Sequence, residues 1–133
     1  MRILCDTNTL LSSLLFPNST TAKALTNVLT NHRLVLCSYV IEETKLVLKK
    51  KFPEYVSYFD IFLEELDYEY VVSPTIDDND ITLMRDPKDV PILLTAIEAG
   101  VDLVLTGDKD FLSLNIKNPK MISSGEYLKG IHD

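Results

Sequence analysis

What this sequence is short of narrows its chemistry before any motif is read. Four glycines in 133 residues cannot be assembled into a Gly-x-Gly-x-x-Gly phosphate loop, so that route to nucleotide binding is excluded. The two histidines, His32 and His132, fall in a loop and at the terminus, and no Ser-His-Asp or Cys-His set is available for covalent catalysis. The two cysteines, Cys5 and Cys37, sit inside apolar strand-like runs without Cys-x-x-Cys spacing; they read as buried reduced thiols rather than a redox pair or half a zinc site. No apolar run approaches the roughly 20 residues of a membrane helix. The start of the chain lacks the charged and cleavage-site pattern of a signal peptide, so a cytoplasmic protein without a membrane partner is expected. An excess of base is also missing. Thirteen Lys and Arg stand against 20 Asp and Glu, a net charge of −7, the reverse of the basic face that draws nucleic acid. That objection weakens if several of the acids surround bound cations, which invert the local field.

What is present suits one domain spanning residues 1–133, long enough to bury a single core. Arg2 to Cys5 is an apolar strand that stops at Asp6 and the small polar residues Thr7, Asn8 and Thr9, after which an apolar pattern resumes at helical spacing. Phe16 to Ser19 is a loop, with Thr20 or Thr21 the expected cap of a second helix. Arg33 to Cys37 is a buried strand, and Ser38 is expected to cap a helix over about Tyr39 to Lys51. At about 100° per residue, Val40, Ile41, Thr44, Val47 and Leu48 share a face of that helix; Glu42 lies opposite, and Glu43 borders the apolar stripe. Pro53 ends it. A further helix carries Val56, Phe59, Phe62, Leu63 and Leu66 inward, with Asp60, Glu64, Glu65 and Asp67 in solvent, and the less apolar Tyr68 to Val72 is marked for the sheet edge.

Ser73 to Lys88 is the long polar connection and is expected to be mobile. Val90 to Ala99 is apolar nearly all round, the pattern of a buried helix, with Pro91 in its first turn and Gly100 closing it. Asp86 or Asp89 falls at its N-terminus, where the dipole favours a carboxylate. Val101 to Leu105 is a fourth strand, ended by Thr106-Gly107-Asp108-Lys109-Asp110-Phe111 in the same strand, turn, acid and helix order as the opening stretch. Asn118-Pro119 is a turn, Lys120 to Ile122 a fifth strand, and Ser123 or Ser124 caps a last helix through Leu128. This alternation predicts an α/β fold with a parallel sheet and right-handed crossovers.

Taken singly, each acid has an ordinary explanation as a helix cap or a boundary residue. Together, the ends of strands one and four and the starts of two helices converge on one crevice of a doubly wound sheet. Carboxylates crowded there either take up protons or bind a cation. An all-oxygen donor set selects Mg²⁺ or Mn²⁺, one ion or two, rather than zinc. Such ions activate water and clamp phosphodiester oxygens.

Asp6-Thr7-Asn8-Thr9-Leu10, Glu42-Glu43, Arg85-Asp86-Pro87-Lys88-Asp89 and Thr106-Gly107-Asp108-Lys109-Asp110-Phe111, in this order over the full length of the chain, resemble the PIN-domain ribonucleases. The similarity is closest to the small VapC-like toxins of toxin-antitoxin pairs. The resemblance implies a three-layer α/β/α fold with about five parallel strands in order 3-2-1-4-5. It implies Asp6, Glu43, Asp89 and Asp108 as the metal-binding catalytic quartet, Asp110 as a fifth acid, and Asn8 and Thr106 as polar neighbours that hold carboxylates and water. It also implies Mg²⁺ or Mn²⁺, an RNA substrate, a homodimer and a cognate antitoxin. Lys45, Lys49, Lys50 and Lys51 are candidates for contact with the RNA backbone. Two other readings stay open: a non-catalytic binding module of the same fold acting through a protein partner, and a haloacid-dehalogenase-type phosphatase. The latter needs a second Asp where Asn8 stands.

Overall fold

The structure, a computed structural model, describes residues 1–130; His132 lies outside the described residues. Five strands, β1 (Arg2–Cys5), β2 (Arg33–Cys37), β3 (Tyr68–Val71), β4 (Leu103–Leu105) and β5 (Lys120–Ile122), form one sheet in the order β3-β2-β1-β4-β5, all neighbours parallel. Parallel neighbours require crossovers, and helices supply them: α1 (Thr7–Leu15), α2 (Thr20–Asn31), α3 (Ser38–Lys51), α4 (Val56–Glu65), α5 (Val90–Ala99) and α6 (Lys109–Leu112), with α7 (Ser124–Leu128) following β5. Ile3, Leu4 and Cys5 of β1 are all fully buried, as are Val35, Leu36 and Cys37 of β2. Successive strand residues face opposite ways, so both faces of the sheet are covered and the expected three layers result. Edge strand β3 holds no fully buried residue, in keeping with its mixed sequence.

The core runs from the β1, β2 and β4 side chains into Leu10 and Leu14 of α1, Leu48 of α3, Phe59 of α4 and Ile92, Leu93 and Ala96 of α5. Both cysteines are buried and free. At the N-terminal end of the sheet, Arg2 and Arg33 share Glu69 of β3, tying three strands together at the end remote from Asp6. Gly100 ends α5 at φ 66° and ψ 37°, left-handed geometry that glycine adopts without a steric penalty. No helix among the described residues is long and apolar enough to cross a membrane.

The differences from the sequence reading are local. Ser19, not Thr20 or Thr21, caps α2, accepting from the Ala22 amide; with three hydroxyls in a row, the backbone path chooses the cap. Ser38 is the first residue of α3, and Cys37 occupies the cap position without a side-chain bond. The Ser38 hydroxyl instead accepts from the Ser73 amide at 2.9 Å, and the Tyr39 amide donates to the Ser73 hydroxyl at 3.2 Å. This reciprocal clamp fastens the end of β3 to the start of α3. β4 begins two residues later than expected, at Leu103, and the Asp102 carboxylate before it accepts from the Arg2 amide. The long connection contains two single-turn 3₁₀ helices, Asp80–Leu83 and Pro87–Asp89, the second capped by Asp86.

Candidate metal centre

The parallel sheet brings the carboxyl ends of β1 and β4 side by side, since Cys5 pairs with Leu105. Asp6 and Thr106 are the next residues of each strand. Asp6 caps α1 with Oδ1, which accepts from the Thr9 amide at 2.9 Å, while Oδ2 accepts from the Thr106 hydroxyl. The Thr106 hydroxyl in turn accepts from the Asp108 amide at 3.0 Å. One fully buried threonine therefore sets the spacing of both acid-bearing turns. Asp108 caps α6 through the Asp110 amide, 2.8 Å from its Oδ1. Burial pushes the Asp6 carboxyl above its ordinary pKa; the Thr106 and Thr9 bonds oppose this, and the nearby Asp108 adds to it.

Glu43 reaches the same place from α3. Its oxygens accept from the Thr7 hydroxyl and from the Tyr39 hydroxyl, the latter at 3.2 Å. Tyr39 lies one helical turn before Glu43, so the pair is a consequence of helical spacing. The Tyr39 phenol is pushed well up, first by burial and then by Glu43, Asp89 and Asp86, and it stays a proton donor at any ordinary pH.

Asp89 differs from the others. It stands at the head of α5, yet its side chain accepts no capping bond, and no donor reaches it among the described residues. Burial is the first cause, and repulsion from Asp108, Asp86, Asp6 and Glu43 the next, that raise its pKa to about 6.

Asp6, Glu43, Asp89 and Asp108 thus line one cleft of about 170 Å³, with Thr7, Asn8, Asp86 and Lys88 also in its walls. Carboxylate oxygens of Asp89, Asp108 and Asp110 lie within 4.8 Å of one another, and Asp6 and Glu43 face the cleft from outside that trio. Asp110 does not line the cleft itself, and the Arg85 guanidinium holds its Oδ2 at 2.9 Å. Asn8 lines the cleft from an exposed position and bonds no carboxylate among the described residues; the holding is done by Thr106, Thr7 and Tyr39. The four lysines separate. Lys50 and Lys51 line a groove beside the cleft, Lys45 leans toward Asp60 at 3.8 Å, and Lys49 lines neither.

Thr7, Tyr39, Arg85 and Lys88 were not singled out from the sequence. Tyr39 four residues before Glu43 offered a signal. Arg85 and Lys88 did not, since their reach depends on the path of the connection after β3.

The donor chemistry fits a hard divalent cation. Every candidate ligand is a carboxylate oxygen, and Asp89 is a half-buried acid with no hydrogen-bond donor, surrounded by other acids. Lys88 is the one basic residue in the cleft wall among the described residues, and a divalent cation would supply the further counter-charge that these acids call for.

A family model described as a PIN domain matches residues 2–110, a span that contains all five acids. Among solved structures, that of VapBC2 from Rickettsia felis, bound to a DNA fragment from their promoter, superimposes with a TM-score of 0.71 at 18% identity. It covers 92% of this chain and 98% of the other. The structure of DNA-bound VapBC from Salmonella typhimurium gives 0.70 at 14% identity, covering 93% and 98%. At such identities the likeness is one of fold. No curated protein matches the sequence.

Proposed function

Because the chain belongs to the PIN domain family, we propose that it is a metal-dependent endoribonuclease and the toxin component of a toxin-antitoxin pair. The observation that carries this reading is the convergence of Asp6, Glu43, Asp89 and Asp108 on one cleft at the carboxyl ends of β1 and β4. The four acids would hold Mg²⁺ or Mn²⁺, with Asp110 a fifth ligand if Arg85 releases it. When bound, such an ion supplies Lewis-acid charge and a water of lowered pKa.

The protein's own residues do the positioning. Thr106 fixes Asp6 and the Asp108 turn at one spacing, and Thr7 and Tyr39 hold both oxygens of Glu43, the kind of outer support that orients metal ligands. Lys88 brings a positive charge to the cleft wall, where it offsets repulsion between the acids and a phosphodiester. Attack by water leaves 5′-phosphate and 3′-hydroxyl ends. Among the described residues no serine, cysteine or histidine lines the cleft, consistent with direct attack. Family membership also displaces the phosphatase reading.

The two similar structures are VapBC complexes. That both are toxin-antitoxin complexes supports a cognate antitoxin as partner here, and a homodimer is part of the same proposal. RNA cleavage in Mn²⁺ by the wild-type protein tests the reading, with Asp6→Asn and Asp108→Asn expected to abolish it. Undiminished cleavage by both variants contradicts the proposal.

A further inference from the structure

Beside the acid cleft lies a larger groove of about 410 Å³, and the two share Glu43, Val47 and Lys88 in their walls. Tyr39, Leu46 and Val47 give it an apolar surface. Leu46 is 57% exposed, so a large apolar side chain is left toward solvent on a helix that has a buried face available. Lys50, Lys51 and Lys88 supply three ammonium groups, against Glu42 and the already bonded Glu43. None of these three lysines pairs with a carboxylate among the described residues, whereas Arg2, Arg33, Lys45 and Arg85 each do.

The ordinary explanation of Lys50 and Lys51 is a favourable charge at the C-terminus of α3. It accounts neither for Lys88, which arrives from a separate segment, nor for the apolar residues that line the same groove. A groove that combines cations with apolar or aromatic surface is an arrangement by which proteins hold single-stranded nucleic acid: phosphates along the charge, bases against the flat surface. The volume lies in the about 300–1,000 Å³ range of pockets for small ligands, room for a nucleotide and too little for a duplex. A base can enter only after leaving its stack, which favours an unpaired strand.

We propose that this groove seats the nucleotide adjoining the scissile phosphate of a single-stranded RNA, its backbone on Lys50, Lys51 and Lys88 and its base against Tyr39, Leu46 and Val47. This rests on the ribonuclease reading and deepens it. It also answers the difficulty posed by a net charge of −7, because the polyanion meets a local concentration of base next to the cation-binding acids rather than the average surface.

Binding of a fluorescein-labelled single-stranded RNA, followed by anisotropy in Ca²⁺, tests it with two double variants of equal charge. Lys50→Ala with Lys51→Ala should weaken binding roughly 10-fold and lower the slope of log K against log salt by about 1.4, at about 0.7 per phosphate contact on a single strand. Lys23→Ala with Lys49→Ala, in neither groove nor cleft, should change affinity less than about 2-fold. Leu46→Asp, on an exposed position that tolerates charge, should also weaken binding. In Mn²⁺ the groove variants should raise KM and leave kcat near the wild-type value. Equal effects of the two double variants, or none from either, overturn the proposal. The ribonuclease reading fails separately, if wild-type protein does not cleave RNA in Mn²⁺ whatever the lysine variants do to binding.

Discussion

Replacing Asp89 by Asn should make the metal-free protein more stable at neutral pH and less able to gain stability from Mn²⁺. A carboxyl ordinarily near 3.8 and here near 6 disfavours its charged form by about 3 kcal/mol, at 1.36 kcal/mol per pKa unit. The group is only half-buried, and solvent screening reduces this to about 1–2 kcal/mol. The sign follows from proton linkage. Between about pH 4 and pH 6 the native state binds the Asp89 proton more tightly than the unfolded chain does, so metal-free stability falls as pH rises through that window. Asp6, shifted in the same direction, adds to the fall. Asn at position 89 keeps the shape and removes the charge. Urea or thermal unfolding in EDTA should therefore show Asp89→Asn more stable than wild type by about 1–2 kcal/mol near pH 7, or about 3–6 °C in Tm for a chain this size. The difference should shrink on acidification and vanish below about pH 3, where the carboxyl is protonated in both states. Saturating Mn²⁺ should reverse the order, because the wild type gains a ligand that the variant lacks. A variant no more stable than wild type at neutral pH in EDTA, or a gain independent of pH, would refute the reasoning that Asp89 is held charged among acids whose repulsion the neighbouring cations do not offset.

Three other outcomes follow from the same geometry. Thr106→Val removes the hydroxyl shared by Asp6 and the Asp108 amide; leaving buried polar groups unsatisfied should cost about 1–3 kcal/mol, and Thr106→Ser should recover most of it in urea unfolding. Tyr39→Phe keeps the ring and removes the bond to Glu43, and calorimetry should show Mn²⁺ affinity falling by about 10-fold or more, as for other groups that orient a ligand. Arg85→Ala frees Asp110 and removes a cation from beside the acid trio, so the same titration should give tighter Mn²⁺ binding with little change in stability, the pair being exposed.

Much of the fold was legible because a strand buried on both faces must be apolar throughout. Arg33 to Cys37 and Val101 to Leu105 read as strands, the second starting two residues too early, and the mixed Tyr68 to Val72 read as an edge. Asp6 was legible as an acid directly after such a run, Asp108 as one following the next run across the Thr106-Gly107 turn, and Glu43 by its angle on α3. The strand order came from resemblance to a family and not from any residue pattern, and the PIN domain match with the observed β3-β2-β1-β4-β5 sheet agrees with it. Effects that depend on loop path were hidden. The Arg85 to Asp110 pair spans 25 residues, and nothing in a polar connection says which way its guanidinium turns. The lysine run after Glu43 looked uniform in sequence, yet helical rotation points Lys50 and Lys51 to a groove, Lys45 to Asp60 and Lys49 elsewhere. Asn8 was expected to hold carboxylates and water, and among the described residues it bonds no carboxylate. The buried side chains on either side of it, Thr7 and Thr9, face inward, and Asn8 is left exposed at the cleft wall.

The central claim is that the carboxylates gathered at the ends of β1 and β4 form a cation site. Anomalous diffraction from a crystal soaked in Mn²⁺ tests it directly. The account predicts one or two anomalous peaks in the cleft between Asp6 and Asp108, with carboxylate oxygens of these residues and of Asp89 or Glu43 at about 2.0–2.2 Å. An occupied Mn²⁺ site elsewhere on the surface, with no peak in the cleft, would contradict it.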